Sequence, residues 1–525
     1  MPTLPLVVDD RAVEVPDDGA TLLTVLRERL GVMSVKDGCS PQGQCGCCTV
    51  LVDGQPRAAC VTPARRVRGR SITTLDGLPA TERVAWGEAF CATGASQCGF
   101  CTPGIIVRLA GLASRTPEAG EPAVEQALLA HLCRCTGWRT ILDAWSAHAS
   151  GVPGPDRDLA AATQRATIEG HSPQRVGPDV ALGHGGFADD TAPAGALVAV
   201  LDAQGEWVVA ETLAEAREAA GKVQGRRTTA DVRHPLEVLP GDWAATLRTT
   251  WVEPGYLELD AAWCAPGGTP ATPLANGGAF GGKLSSLVGE AARTLADTHG
   301  RPVRALLSRE DSVRHGPKRP PVAGGIRTDG TGVVRVAATP GIAGAIAAVA
   351  PGLVVEEVAV PGPPTSADLR AAGWAEAAVL LAAVSPGAPD AATVRSPVGV
   401  EADARVRFGD DPRIEVRVSG CGPVLDETVL RSYCVGAAHM GLGWVCSEGL
   451  AVDDAGEVHD LTIRSFGILR AVDMPPVDIE IDAGSADGPP VNASDAVFAA
   501  VAAAAWRAQG CPPDWPTGLL PRSRR

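Results

Sequence analysis

Several features that would place this chain in a common functional class are missing from its 525 residues. No apolar run is long enough to cross a bilayer, and no signal peptide opens the chain. Positive charge is also in deficit, because 46 basic residues stand against 61 acidic ones and give a net charge of -15. That balance argues against nucleic acid or an anionic membrane surface as a partner.

The familiar catalytic signatures are absent as well. The sequence has no GxSxG elbow, no Walker loop and no HExxH helix, and its nine histidines are scattered. No flavin-binding domain is apparent. Lysine is scarce, and one lysine falls in the segment RHGPKRPP near residue 314, which we interpret as an exposed basic loop. A chain of this length exceeds one ordinary core, so three or more domains are expected.

Cysteine, in contrast, is concentrated near the start of the chain. Eight of the fifteen cysteines form two quartets: Cys39, Cys45, Cys48 and Cys60, then Cys98, Cys101, Cys133 and Cys135. In the first quartet, three cysteines share a glycine-rich loop and the fourth follows a short hairpin. This spacing is close to that of plant-type [2Fe-2S] ferredoxins, although the first gap is five residues rather than four. The glycines give the loop the backbone freedom to curl around a cluster.

The second quartet has a different setting. In QCGFCTPGIIVRLAGL, Cys98 and Cys101 precede a predicted helix, and Pro103 suits its first turn. Cys133 and Cys135 fall in a short break between two predicted amphipathic helices. Four thiolates also build structural zinc sites, so zinc is the alternative for each quartet, and more so for the second. Together, the two quartets favour two [2Fe-2S] clusters and a chain that passes electrons.

Two further cysteines lie close to the quartets. We interpret Cys47 as a buried bystander rather than a ligand that exchanges with Cys48, and Cys91 as an extra residue. Reduced, metal-binding cysteines without a disulfide framework fit a bacterial-type cytoplasm, which is the expected location.

Residues 1–150 resemble the iron-sulfur subunit of the xanthine oxidase family of molybdenum hydroxylases. The first cysteine loop, QCGFCTPG and LCRCTGWRTI carry the resemblance. It implies a plant-type ferredoxin domain with a β-grasp fold over residues 1–78 and a four-helix [2Fe-2S] bundle over 79–150. It also implies that the bundle cluster lies beside a molybdopterin and the other cluster farther out, toward a flavin. Gln97 would then hydrogen-bond the pterin, and its alternative role is that of a polar helix-capping residue.

The remainder of the chain resembles the large molybdenum subunit of that family in shortened form. A polar, proline-punctuated linker is predicted over residues 151–179, followed by truncated α+β molybdopterin-binding-like lobes over 180–330 and 331–525. NGGAFGGK resembles the glycine-rich cofactor loop of the large subunit, which would make Gly278, Phe280, Gly281 and Gly282 cofactor contacts. Ala279 replaces a glycine of that loop. From the residues alone, the segment reads as a tight turn.

The resemblance breaks down at functional positions. Val252 stands where the family has a glutamine near the metal, and the arginine-glycine and GQG motifs of the family are not recognisable. The family's basic glutamate is replaced by Asp487 and Gly488 at the nearest positions. The aspartate side chain is shorter than glutamate and is displaced by one position in the sequence, so it would not reach hydrogen-bond distance of the proton that a base must remove. We therefore interpret Asp487 as a solvated turn residue rather than a base. We therefore expect no independent hydroxylation by this chain.

The favoured function is an iron-sulfur electron-transfer subunit of a molybdenum hydroxylase, passing electrons from a molybdopterin centre through two [2Fe-2S] clusters toward FAD. In this hypothesis a molybdenum-bearing large subunit holds most or all of the molybdopterin, and FAD lies on a separate subunit. The alternatives are a compact hydroxylase that binds its own molybdopterin and a non-enzymatic iron-sulfur redox sensor. The motifs that would indicate a substrate are the ones that are missing.

Overall fold

A computed structural model describes most of the chain. The described residues are 2–151, 154, 156–221, 230–271, 278–459, 461–482 and 488–521. Asp487 lies outside them, so the structure carries no information on its role as a base. Within these ranges the fold is α+β and contains four sheets, and no helix combines the length and apolar character needed to cross a bilayer.

The first sheet forms the predicted β-grasp domain. Its five strands, in the order β2-β1-β5-β3-β4, are β1 (Thr3–Val8), β2 (Arg11–Pro16), β3 (Thr49–Val52), β4 (Gln55–Ala58) and β5 (Ser71–Thr73). Strand β1 pairs antiparallel with β2, so that Leu4 lies opposite Val15. The helix that follows is a short α-helix, α1 (Leu22–Thr24), continued by a wider π-helical turn over Val25–Arg29.

Four helices form the second unit, as expected. They are α2 (Ala80–Thr93), α3 (Thr102–Ala113), α4 (Glu121–Ala127) and α5 (Arg139–Ser150). Pro103 lies in the first turn of α3, where a missing N–H costs no helical hydrogen bond. Trp86 on α2 stacks on His148 of α5 with 3.6 Å between ring centroids. Cys133 and Cys135 lie between α4 and α5, as the sequence predicts.

The linker prediction over 151–179 is wrong in its middle, where Leu159–Gly170 form a helix, α6. Asp158 caps it by accepting hydrogen bonds from the N–H groups of Ala160 and Ala161. The sequence shows no apolar period here because the helix buries a charged pair. Arg165 and Glu169 are fully buried, with 3.5 Å between Arg165 Nη1 and Glu169 Oε1.

The next two sheets share the stretch from residue 197 to 358. One has the order β7-β6-β10-β9, with β6 (Leu197–Leu201), β7 (Trp207–Ala210), β9 (Ala261–Cys264) and β10 (Val303–Leu306). The other has the order β13-β12-β11-β8, with β8 (Ala245–Arg248), β11 (Val322–Ile326), β12 (Gly332–Ala337) and β13 (Leu353–Val358). Helices α7 (Pro178–Ala181), α8 (Leu213–Ala219), α9 (Val288–His299), α10 (Arg309–His315), α11 (Ile342–Val349) and α12 (Trp374–Val384) accompany them.

The predicted boundary between residues 330 and 331 is also corrected. It falls in the turn between β11 and β12, which pair antiparallel with Ile326 opposite Gly332. A hairpin within one sheet cannot be a division between lobes, because its two strands stabilise each other through shared hydrogen bonds.

The fourth sheet and two long helices complete the chain. The sheet has the order β14-β15-β16-β17, with β14 (Ala391–Arg395), β15 (Glu401–Arg407), β16 (Arg413–Ser419) and β17 (Val477–Ile481). Helix α13 (Glu427–Cys446) and helix α14 (Ser494–Ala508) are buried along most of their length. The carboxylate of Glu169 accepts hydrogen bonds from the N–H groups of Ala493 and Ser494, so α6 anchors the start of α14.

Candidate metal centres

Cys39, Cys45 and Cys48 of the first quartet lie in the loop before β3, and Cys60 reaches them from the turn that follows β4. The four cysteines are each 1–2 % exposed. The Cys39 thiol contacts those of Cys45 and Cys60, and the Cys60 thiol also contacts that of Cys48, so one chain of contacts joins all four. The hydrogen bonds from Cys45 and Cys60 hold the pKa of Cys39 well below its usual value. The backbone N–H of Gln42 donates to Cys39 Sγ at 3.1 Å, the kind of contact that stabilises a thiolate ligand.

Glycine is required where this loop meets its neighbours. Gly46 has a φ of +76°, and a Cβ there would lie 2.5 Å from the His131 ring. At Gly38 a Cβ would lie 2.9 Å from Cys47 Sγ and 3.2 Å from Cys45 Sγ. A side chain at Gly46 would therefore collide with the His131 ring, and one at Gly38 would displace the Cys45 and Cys47 thiols.

The second quartet is equally buried, with its four cysteines 1–5 % exposed. The Sγ atoms of Cys98 and Cys135 are 3.6 Å apart, and the thiols of Cys101 and Cys133 form the other pair. The hydrogen bond from Cys101, aided by Thr136, lowers the pKa of Cys133 to about 7 despite its burial. Both quartets therefore present converging thiols with hydrogen-bond donors nearby, an arrangement that fits [2Fe-2S] ligation.

The two quartets lie against each other. The N–H of Leu132 donates to the carbonyl of Cys45 at 3.0 Å, directly beside Cys133 in the chain. Gly104, in the first turn of α3, packs so closely that a Cβ there would lie 2.4 Å from the Gly46 carbonyl. Cys47 is 1 % exposed, and its thiol interacts with that of Cys45. Its assignment as a bystander stays a prediction, as does that of Cys91.

Gln97 is buried between the bundle and the C-terminal region. Its Nε2 donates to the Cys135 carbonyl and to Ser432 Oγ on α13, both at 3.0 Å, while its Oε1 has no hydrogen-bond partner within the described part of the chain. Both amide hydrogens are thus engaged by the chain itself. Gln97 caps no helix among the described residues, and its contact with a pterin stays a prediction.

The described part of the glycine-rich loop, residues 278–282, does lie beside the second quartet. A Cβ at Gly278 would be 2.5 Å from Cys135 Sγ, and one at Gly281 would be 1.9 Å from the Asp368 carbonyl. Gly282 packs against Pro254, 3.2 Å from an added Cβ. The glycines therefore allow close approach, but the approaching atoms belong to this chain.

Sequence analysis missed a set of buried arginines around Phe280. Arg370 stacks on the Phe280 ring at 3.8 Å and pairs with Asp495. Arg319 pairs with Glu376 through two hydrogen bonds of 2.7 and 2.8 Å. The interpretation of RHGPKRPP as an exposed loop is accordingly wrong for Arg319, which is 6 % exposed, and for its neighbour Lys318, which is fully buried. No local sequence signal marks these arginines, because their partners lie far away in the chain.

Another missed arginine, Arg134, lies between two cysteines of the second quartet. It donates to both carboxylate oxygens of Glu448 at 2.5 and 2.7 Å, and neither side chain is more than 4 % exposed. Its Nε donates to the Pro254 carbonyl at 2.8 Å. Arg134 thus fastens the second cysteine loop to the C-terminal region.

The residues around Phe280 do not fit a molybdopterin. The cavity among Phe280, Arg370 and Trp444 has a volume of about 30 Å³, far below the roughly 300 Å³ at which small-molecule sites begin. Gly436 on α13 packs so tightly that a Cβ there would lie 1.8 Å from the Cys135 carbonyl. Gly488, at the position nearest to the family's basic glutamate, has no side chain to serve as a base. Val252 is buried beside Arg319, as an apolar residue would be.

Comparison with known families matches the cysteine-rich region. The family described as 2Fe-2S iron-sulfur cluster binding domain matches residues 7–70, and the family described as [2Fe-2S] binding domain matches residues 74–146. Both matches contain one quartet each. Their descriptions name the same type of cluster that the spacing predicts, and zinc finds no support.

Curated relatives match the same region. A probable xanthine dehydrogenase component of Bacillus subtilis is 38% identical over 138 residues, which are 26% of this chain and 79% of the relative. The nicotinate dehydrogenase small FeS subunit of Eubacterium barkeri is 38% identical over 125 residues, 24% of this chain and 79% of the relative. The aldehyde oxidoreductase of Megalodesulfovibrio gigas is 40% identical over 149 residues, 27% of this chain but only 16% of the relative.

Solved structures extend the likeness in fold to nearly the whole chain. The aldehyde oxidoreductase from Desulfovibrio gigas superposes with a TM-score of 0.69 at 15% identity, covering 96% of this chain and 97% of that one. The aldehyde oxidoreductase from Desulfovibrio desulfuricans gives 0.70 at 16% identity, with the same coverage. At such identities the likeness is one of fold.

Proposed function

The chain belongs to the xanthine oxidase family of molybdenum hydroxylases, and we propose that it is the chain of such an enzyme that carries electrons between a molybdenum-bearing partner and an FAD-bearing partner. Its first 150 residues bind two [2Fe-2S] clusters, one in each matched domain. Each cluster, when bound, takes up and releases one electron. The chain is accordingly part of an oxidoreductase.

We assign each cluster to one quartet. Cys39, Cys45, Cys48 and Cys60 would hold the first cluster, and Cys98, Cys101, Cys133 and Cys135 the second. The observation that carries this function is the direct packing of the two quartets through the hydrogen bond from Leu132 to Cys45. Because Cys45 bonds directly to the residue before Cys133, and both residues of this bond are buried, the path between the two quartets is short, which suits electron transfer better than two isolated structural sites.

The first-quartet loop supports an outer position for its cluster. Gly43 in that loop is exposed, and Val61, which directly follows Cys60, is 49% exposed. This edge is the natural place for the FAD-bearing partner to bind. The second quartet is instead enclosed by α13 and by residues 278–282, so its cluster would be the inner one of the two.

The compact hydroxylase finds no support in the packing around Phe280. The small cavity, the engaged amide of Gln97 and the missing glutamate argue that this chain does not hold a molybdopterin of its own. Its C-terminal region shares the fold of the aldehyde oxidoreductases, and the cavity around Phe280 is lined by arginine, glutamate and aromatic side chains. Molybdenum therefore belongs to the partner in this proposal.

Isolation of the chain from its native host tests the proposal. We expect about four iron atoms per chain, no stoichiometric molybdenum, and two distinct paramagnetic signals after reduction with dithionite. A molybdenum-bearing chain and an FAD-bearing chain should copurify with it. A chain that carries stoichiometric zinc, or one that stays a monomer without either partner, would overturn the proposal.

Single replacements of ligands sharpen the assignment of the clusters. Cys60→Ser should remove one paramagnetic signal, and Cys133→Ser should remove the other. Cys264→Ser is the matched control, because Cys264 is equally buried but lies in the second sheet, away from both quartets. Retention of both signals in either ligand variant would contradict the assignment.

A further inference from the structure

Three arginines from the part of the chain after residue 180 form hydrogen bonds with the first-quartet loop, the loop that contains Cys39, Cys45 and Cys48. Arg217 donates to Ser40 Oγ at 2.8 Å, Arg309 donates to the Gly38 carbonyl at 2.7 Å, and Arg464 donates to the Gln44 carbonyl at 2.9 Å. We call these three residues the arginine clamp. They come from separate segments of the chain, so no local motif brings them together.

Arg309 is the most buried member of the clamp. Its side chain is fully buried, and its Nη2 also donates to the Leu257 carbonyl at 3.3 Å. Its Nε and Nη1 have no hydrogen-bond partner among the residues that the structure describes, and its guanidinium carbon lies 6.0 Å from the centroid of the Tyr256 ring. A buried guanidinium without an anion is costly, because water no longer solvates its charge.

A cluster held by the first quartet supplies the missing negative charge. The peptide whose carbonyl accepts from Arg309 joins Gly38 to Cys39, so the guanidinium lies one peptide from a ligand. Four thiolates outweigh the positive charge of an oxidised [2Fe-2S] core, and reduction adds one further negative charge. A nearby cation stabilises the reduced state more than the oxidised state, most strongly where burial keeps the dielectric constant low.

The charges of the other two arginines of the clamp have a weaker effect at the cluster. Arg217 also lies 3.3 Å from Asp37, whose carboxylate offsets part of its charge. Arg464 is exposed, so water and salt screen it. Its second hydrogen bond, from Nη2 to the Leu129 carbonyl at 2.9 Å, ties the first loop to the bundle. The expected order of influence therefore begins with Arg309.

We propose that the arginine clamp raises the reduction potential of the first-quartet cluster, so that electrons arriving at the second quartet are drawn outward. The C-terminal region then acts as the electrostatic environment of the outer cluster rather than as a cofactor pocket. The inference rests on the proposed function only for the presence of a cluster in the first quartet. The effect of the clamp on the reduction potential does not depend on the identity of either partner.

The test is a redox titration of the iron-loaded full chain with dithionite as reductant and with redox mediators. Electron paramagnetic resonance monitors the reduction of each cluster. Arg309→Gln should shift the potential of the first cluster to a more negative value and leave the second cluster nearly unchanged. Arg309→Lys keeps the charge and should retain most of the wild-type potential. Arg413→Gln is the control, because it removes one positive charge from an exposed ion pair on the fourth sheet.

A double variant guards against failure of Arg309→Gln to fold. Arg217→Gln combined with Arg464→Gln should lower the same potential by a smaller amount, and added salt should shrink the part contributed by Arg464. Equal shifts in the reduction potentials of both clusters would overturn the inference, and so would an unchanged potential of the first cluster in a variant that retains both signals. Absence of the two signals from the wild-type chain would instead refute the proposed function, so the two failures are distinguishable.

Discussion

The backbone N–H of Leu132 donates to the carbonyl of Cys45 across 3.0 Å, and this bond joins the two cysteine quartets. Leu132 directly precedes Cys133, so a cysteine of the first quartet and the residue beside a cysteine of the second share a hydrogen bond. The bond is buried, since Leu132 is 2 % exposed and Cys45 is 1 % exposed. The relative position of the two centres is therefore set by the backbone rather than by mobile side chains.

Gly278→Ala should disturb the second cluster selectively. The added Cβ would lie 2.5 Å from Cys135 Sγ, and the positive φ of +70° adds strain of about 1 kcal/mol. We expect loss of the second paramagnetic signal and retention of the first. Gly488→Ala is the control, because Gly488 has a φ of +90° but no atom within 4 Å of its added Cβ. Equal loss of both signals in Gly278→Ala would contradict this assignment of the loop.

Glu448→Gln should destabilise the chain strongly. The substitution leaves the Arg134 charge buried without a carboxylate, and such losses cost about 3–5 kcal/mol. Urea unfolding followed by circular dichroism measures the change. Glu211→Gln, which breaks the exposed pair with Arg301, should leave the midpoint unchanged. Equal midpoints for the two variants would show that the buried pair does not hold the cysteine loop in place.

The stability of the chain should fall as the pH rises above neutrality because of His171. Its Nε2 lies 3.0 Å from Asp495 Oδ2, and this charge raises the pKa of His171 in the folded state. The folded chain then holds a proton that the unfolded chain has lost, so the stabilisation is complete below the unfolded pKa of roughly 6.5. It disappears as the pH passes the raised pKa. Unfolding curves of His171→Gln should lack this decline; the same slope in the variant would assign it to another group.

Because of His439, the stability of the chain should also fall as the pH decreases below about 6.5. Burial lowers the pKa of His439 to about 4, and its Nε2 lies 3.0 Å from the Leu469 carbonyl. Between that value and about 6.5 the unfolded chain binds a proton that the folded chain does not. Stability should therefore decrease as the pH falls through this window. In His439→Asn the slope of unfolding free energy against pH in this window should decrease by the equivalent of about one bound proton. An unchanged slope would contradict the prediction.

The cysteine quartets and the helices around them could be predicted because their chemistry demands local spacing. Pro103 marks the start of α3, and the break holding Cys133 and Cys135 lies between two amphipathic segments. The helix over Leu159–Gly170 escaped prediction because its buried face contains Arg165 and Glu169, which read as a solvated surface. Arg370 escaped for a related reason: its partners Phe280 and Asp495 lie about a hundred residues away on either side, and no periodicity records such contacts.

The role of the C-terminal region was the hardest to predict. The glycines at 278–282 resemble a cofactor loop in sequence, yet in the structure they meet Cys135, Asp368 and Pro254. Glycine permits close approach without specifying what approaches. Only the full packing shows that the space is taken by this chain. That this chain does not hydroxylate a substrate by itself stays a prediction, as does the role of Asp487.

The ion pair between Arg134 and Glu448 has a consequence for cooperativity. It joins the second cysteine loop to a segment more than three hundred residues later, and Trp138 adds a hydrogen bond from its Nε1 to the Leu469 carbonyl at 3.0 Å. Partial unfolding of the C-terminal region would leave Arg134, which lies between Cys133 and Cys135, without its carboxylate partner. Bleaching of the iron-sulfur absorption and loss of helical signal should therefore coincide on heating, so that the colour of the protein reports the integrity of its entire fold.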